Sequence, residues 1–185
     1  MSVTTRASRD TLPVRSMRLA SKKSAARADA DPPPLLGTLV LVHGDEHLAL
    51  DADEPTDARF EDLLADRVTG EAHTLDPRLL AMLRDVAREW PGARIEIVSG
   101  YRSEKLNETL RKKGHHVAVH SQHTLGHAVD FRVIPEGDAR ALSPLVIERF
   151  LREDLHWPGG VGVYLSDSDW FTHADVGPNR RWNGQ

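Results

Sequence analysis

Two histidines, a glycine and an aspartate stand within SQHTLGHAVDF, residues 121–131 of a 185-residue chain that has ten histidines and no cysteine. Nitrogen and oxygen donors without thiolates suit a zinc site, which in catalytic form takes three protein ligands and leaves one position to water. Two arrangements compete. A helical pair of His123 and His127 would copy the HExxH zinc proteases, but Thr124 stands where that motif needs glutamate, and Gly126 weakens a helix. That arrangement is rejected. His116 and His120 share the spacing, yet Val117, Ala118 and Val119 between them read as strand. In the second arrangement His123 sits on a turn, Gly126 lets the backbone reverse, and HAVDF returns as a strand. Ala128 and Asp130 then point to one face, Val129 and Phe131 to the other. A loop histidine and a strand aspartate can converge on one ion, with a third ligand from elsewhere. His173 in WFTHADVG is one source, with Asp175 on the same strand face. A lone strand histidine is more often packed or solvated than a ligand. Asp130, bordered by apolar residues, needs a partner because burying a bare carboxylate is costly; a metal and an arginine both answer.

The elements that must position these residues are legible in outline. GTLVLVH (37–43) and HLALDA (47–52) read as a hairpin, and ARFEDLLADRV as a short helix after an acidic loop. Asp76 as N-cap and Pro77 at the first position open a helix with Leu79, Met82, Leu83, Val86 and Trp90 at helical spacing, stopped by Pro91-Gly92. RIEIVS (94–99) alternates as a strand with Ile95 and Ile97 inward, and Ser103 caps a helix that Gly114 closes. HAVDFRV (127–133) is strand-like, and Ser143-Pro144 opens a helix through Leu151. GGVGVYL (159–165) and WFTHADV (170–176) form a second hairpin. Helices and hairpins mixed without a βαβ rhythm predict an α+β fold with a central antiparallel sheet and flanking helices.

Composition narrows the classes. Residues 1–30 carry seven basic side chains against Asp10 and Asp29, in a chain of net charge -4. An acidic body behind a basic, Ser/Ala-rich segment excludes a nucleic-acid-binding domain. Residues 1–34, ending in DPPP, read as a disordered basic tail, and 35–185 as a single domain. No apolar run approaches the roughly 18–20 residues of a membrane span. The start is basic but has no apolar segment of about 7–15 residues, so no secretory signal peptide is recognisable; a mis-assigned start or a removed signal would each account for that. With no cysteine and no serine in a G-x-S-x-G elbow, nucleophilic hydrolase chemistry is discounted.

Three blocks together carry a resemblance. SGYRS (99–103) with Asn107 and LRKKG (110–114), then SQHTLGHAVDFRV (121–133), then GGVGVYLSDSDWFTHADVGPNRRW (159–182) resemble the murein endopeptidase K family, a branch of the zinc D-alanyl-D-alanine-type metallopeptidases. The similarity runs from about residue 57 to the C-terminus, in order. It implies a hedgehog/D-Ala-D-Ala-peptidase-like fold and a Zn2+ ion held by His123, Asp130 and His173. It further implies hydrolysis of peptide cross-links in bacterial peptidoglycan, with stem peptides as partners, in the periplasm or cell envelope. Arg102 would neutralise a substrate carboxylate or a developing oxyanion, its alternative being an ion pair with a carboxylate such as Asp130.

The chain departs from related zinc peptidases where they place a general base: three and two residues before the last ligand stand Trp170 and Phe171. Asp175 is the first candidate for the base, or for an acceptor that orients His173, and Asp169 is the second. His127 is off the ligand spacing, His115, His116 and His120 read as solvated loop residues, and Ser121 as a brace for His123. A non-catalytic zinc-containing domain that binds peptidoglycan or a protein is the alternative function.

Overall fold

A computed structural model describes residues 33–114 and 117–184. The tail reading up to residue 32, and the loop readings of His115 and His116, lie outside the described residues. Within these described residues seven strands form one sheet: β1 (Gly37–Leu41), β2 (His47–Leu50), β3 (Ala93–Ser99), β4 (Ala128–Ile134), β5 (Gly160–Leu165), β6 (Trp170–Asp175) and β7 (Arg180–Asn183). Among the described residues four α-helices accompany them: α1 (Asp57–Leu63), α2 (Pro77–Glu89), α3 (Glu104–Lys112) and α4 (Pro144–Arg149), the last continuing as a π-helical turn over Phe150–Asp154. The class is α+β.

The sheet order is β2-β1-β3-β4-β6-β5-β7. The expectation of an antiparallel sheet is corrected here, because β1 runs parallel to β3 and β5 parallel to β7. A parallel pair needs a long crossover. The segment carrying α1 and α2 supplies it between the β1–β2 hairpin and β3. At the other end β6 takes one side of β5 as its hairpin partner, and the returning chain lays the short β7 along the other side.

Capping follows the local chemistry. Asp76 accepts from the Arg78 N–H, Ser103 from that of Leu106 and Ser143 from that of Leu145, with Pro77 and Pro144 at the first turns. The helix expected over residues 58–68 stops earlier, at Leu63. Asp66 ends it: its buried carboxylate accepts from the Val68 and Thr69 N–H groups and, across the fold, from Ser103 N–H at 2.6 Å.

Alternation assigns the two faces of the sheet. Ile95, Ile97, Val129, Phe131, Val133, Val161 and Ala174 are fully buried and join the core with Leu79, Leu83 and Val86 of α2 and Ile147 and Leu151 at the C-terminal helix. α2 packs on β3, and α4 on β5 and β6. Asp130, Arg132, His173 and Phe171 stand on the opposite face.

The reversal before β4 is a 3-10 turn over Gln122–Leu125, braced by Ser121 Oγ accepting from the His123 N–H and closed by Gly126 at φ 70. A Cβ at Gly126 would lie 2.3 Å from the Thr74 carbonyl oxygen. Gly126→Ala is therefore expected to cost about 1–3 kcal/mol, read as a lower denaturant midpoint at unchanged m-value.

Candidate metal centre

Each of the three proposed ligands comes from a different element. His123 sits in the 3-10 turn, Asp130 on β4 and His173 on β6, the last two opposite each other in the strand register. All three are buried, at 2%, 3% and 8% exposure. His123 Nε2 lies 3.2 Å from Asp130 Oδ1 and 3.2 Å from His173 Nδ1, while His173 Nδ1 lies 2.7 Å from the same Asp130 oxygen. Among the described residues these form the one cluster of three ligating groups with donor atoms within 4.8 Å of one another.

The other ring nitrogens decide what this cluster is. His123 Nδ1–H donates to the Gly100 carbonyl at 2.7 Å, which fixes its tautomer and turns the Nε2 lone pair inward. His173 Nε2–H donates to Asp175 Oδ2 at 3.0 Å, which turns the Nδ1 lone pair inward. Two nitrogen lone pairs and a carboxylate oxygen thus face one another and repel unless a positive charge stands among them. A divalent cation meets that requirement, and the donor set of two imidazoles and one carboxylate fits zinc.

A proton meets it in part. Burial opposes protonation of His173, but its hydrogen bonds with Asp130 and Asp175 outweigh burial and raise its pKa. Burial, together with the nearby Arg102 charge, pushes His123 down to about 4. Burial also disfavours the charge on Asp130, and His123 and His173 overcome it, holding that carboxyl well below the usual range.

Arg102 stands at the edge of the cluster. Its Nη2 donates to Asp130 Oδ2 at 2.7 Å and its Nε to Ser99 Oγ at 2.9 Å, so it makes the ion pair named above as its alternative while also lining the cleft. Asp175 stands behind His173, on the far side of the ring from Asp130. It is fully buried and accepts from His173, the Gly177 N–H at 2.8 Å and Arg180 Nη2 at 2.7 Å. Burial works against its charge, but these partners lower its pKa. Asp169 is half-buried and lines the cleft, where Ser168 Oγ donates to it at 3.1 Å. His127 is half-buried outside the cluster, and His120 is exposed on the cleft wall.

Some participants carried no role in the sequence reading. Gly160 pairs with Asp175 and Gly162 with His173 across β5 and β6. A Cβ at Gly160 would meet Asp175 Oδ2 at 2.4 Å, and one at Gly162 would meet the Trp182 ring at 2.4 Å. Glycine at alternate strand positions signals such close approach, and GGVG carried that signal. Trp182 reaches over Gly162 to a ring distance of 5.1 Å from His173, and the Arg180 guanidinium lies 5.0 Å from the Trp182 ring centre. Arg152 holds this corner, donating to the Gly159 carbonyl at 3.0 Å and to Asn179 Oδ1 at 2.9 Å. The cleft over the cluster has a volume of about 520 Å³.

A family described as peptidoglycan L,D-endopeptidase MepK matches residues 51–182, from before α1 into β7 and including every residue of this centre. The chain belongs to that family. A probable peptidoglycan L,D-endopeptidase MepK of Haemophilus influenzae is 34% identical over 128 residues, covering 68% of this chain and 63% of that protein. The peptidoglycan L,D-endopeptidase MepK of Escherichia coli K12 is 36% identical over 89 residues, 48% of this chain and 43% of the relative. The chain thus spans less than two thirds of the length of these MepK relatives. No solved structure matches it.

The tautomer argument has a direct readout. In metal-free protein, imidazole NMR signals should show the His173 pKa raised above the ordinary histidine value and His123 staying neutral down to about 4. Asp175→Asn should bring the His173 pKa down while leaving His123 low.

Proposed function

We propose that this chain is a zinc-dependent peptidase that hydrolyses peptide cross-links of bacterial peptidoglycan in the periplasm or cell envelope. Residues 35–185 would be its zinc peptidase-like domain, of hedgehog/D-Ala-D-Ala-peptidase-like fold. The observation that carries this reading is the inward set of lone pairs on His123 Nε2, Asp130 Oδ1 and His173 Nδ1 under an open cleft. Membership in the MepK family supports the substrate class.

His123, Asp130 and His173 would hold the ion. A bound zinc supplies Lewis-acid polarisation of the amide carbonyl and lowers the pKa of a water for attack. The chain's own residues do the rest. Gly100 and Asp175 keep the two imidazoles in the tautomers that leave a lone pair inward. Arg102 faces the cleft as a permanent charge beside a carbonyl oxygen that gains negative charge. Asp175 is proposed as the group that orients His173 rather than the base, because every approach to its carboxylate is taken. Asp169, on the cleft wall, is then the carboxylate open to receive a proton.

The same buried Asp175 gives weight to the second reading, a zinc-containing domain that binds peptidoglycan without cleaving it. A digest of purified sacculi, analysed by mass spectrometry with and without chelator, separates them. New amino termini that vanish with chelator are expected; intact sacculi would leave the binding domain. His123→Ala, Asp130→Ala and His173→Ala should each lose the metal on elemental analysis and lose cleavage, and normal cleavage by a metal-free His173→Ala protein would overturn the assignment.

Asp175→Asn should lower metal affinity by about 10–100-fold while keeping the ligands. The sign of the pH effect follows from His173. Its pKa is raised, so a proton competes for the inward side of the ring as pH falls through that value. Zinc affinity measured by chelator competition should therefore fall on acidification through the imidazole range, and fall at lower pH in Asp175→Asn.

A further inference from the structure

The cleft is charged against the trend of the chain. After residue 32 the sequence carries 17 basic and 25 acidic side chains. Yet the cleft is lined by Arg67, Arg102, Arg132 and Arg180, with Asp130 and Asp169 as the acidic members among the described residues. Two of these arginines are already committed, Arg102 to Asp130 and Arg180 to Asp175, each at 2.7 Å. Arg132 is not. Among the described residues it makes no ion pair, and Glu96, opposite it in the β3–β4 register, is turned to Arg94 at 3.1 Å.

Arg132 is also fixed in place. Its Nε donates to the Trp170 carbonyl at 2.6 Å, which sets the plane of a half-buried guanidinium and leaves both Nη groups for a ligand. It stands two residues beyond Asp130 on the same strand face, a step of about 7 Å along β4. Beside it, Phe171 and Tyr164 stack at 4.3 Å between ring centres and give that end of the cleft an apolar floor. A pre-oriented guanidinium over an apolar floor suits a planar anion with two oxygens, because the fork geometry matches a carboxylate and little ordering remains to be done on binding.

We propose that Arg132 is a substrate-binding residue that takes a free carboxylate of the cross-linked peptide, within about two residues' length of the amide held over His123, Asp130 and His173. The proposal rests on the hydrolase reading and refines it, since it makes the enzyme selective for cross-links that carry an unmodified carboxylate next to the scissile bond. Arg132 binds through charge and shape and has no part in bond breaking.

The test pairs a variant with a substrate change. The zinc-loaded full chain is given a synthetic cross-linked peptide with a free carboxylate adjoining the scissile amide, and the same peptide with that group as a carboxamide. For the unaltered protein, amidation is expected to raise KM by about 10–100-fold with little change in kcat. Arg132→Gln should raise KM for the free acid by a similar factor and abolish the discrimination. Arg132→Lys, which keeps the charge but not the fork, should restore part of it. A role confined to holding the Trp170 carbonyl would alter both peptides equally, and that result overturns the proposal, as does equal KM for both peptides in the unaltered protein. If the unaltered protein cleaves neither peptide, the hydrolase reading fails and equilibrium binding of the two peptides, followed by tryptophan fluorescence, decides instead. Preference for the acid that is lost in Arg132→Gln sustains the carboxylate site, and equal binding sinks it.

Discussion

The structure turns on a repulsion. His123 Nε2, Asp130 Oδ1 and His173 Nδ1 stand 2.7–3.2 Å apart in a buried site, and the two imidazoles have committed their ring N–H groups to Gly100 and Asp175. Such a group is stable only around a positive charge. The charge can be a proton on His173 or a cation shared by all three, and the two exclude each other at His173 Nδ1. Metal affinity, proton affinity and the orientation of two imidazoles are therefore one quantity seen from three sides. Asp175 and Gly100 touch no ligand-facing atom, yet they decide which species the cluster accepts.

The fold holds that repulsive arrangement by placing it on strands whose other face is the core. Val129 and Phe131 flank Asp130, and Thr172 and Ala174 flank His173; all four are buried at 1% or less. A strand cannot turn Asp130 away without turning its apolar neighbours out of the core, since a slip of one residue exchanges the faces. Burial of those side chains, each worth about 1.5–3 kcal/mol where large and apolar, is the force that keeps like groups together. The glycines of β5 complete the design. Without side chains at 160 and 162, Asp175 and Trp182 can close on His173 from behind and from the side.

What was legible in the sequence follows from how local each signal is. Asp76, Ser103 and Ser143 announced their helices because a cap and its N–H lie within three residues. The strand alternation around Asp130 and the turn glycine at 126 gave the loop-plus-strand geometry, and the three blocks of family resemblance joined His173 to it. The parallel pairings of β1 with β3 and β5 with β7 left no mark, because they depend on where distant segments meet. β7 is four residues long with three of its side chains exposed, so it offers no period to read. The early end of α1 was hidden too, since Asp66 reads as an ordinary helix residue until Ser103 is known to lie against it. Asp175 shows the limit within the site itself: spacing put it beside His173, but only the packing of Gly160, Gly177 and Arg180 around it distinguishes an orienting carboxylate from an available one.

The arginines extend the same reasoning from the centre to the cleft. A buried cluster with a net requirement for positive charge would be expected to sit among acidic groups, which raise cation affinity. Here the surroundings are basic instead. Arg102 is bound to the ligand oxygen's own carboxylate, and Arg180 to the carboxylate behind His173. Each withdraws electron density from a group that would otherwise hold a proton or an ion more tightly. The environment therefore gives up some cation affinity and gains a field that attracts anions from solution. That exchange makes little sense for a site whose task is to retain a structural ion. It fits the proposed function, in which negative charge arrives with the ligand and more develops on a carbonyl oxygen as the ligand reacts.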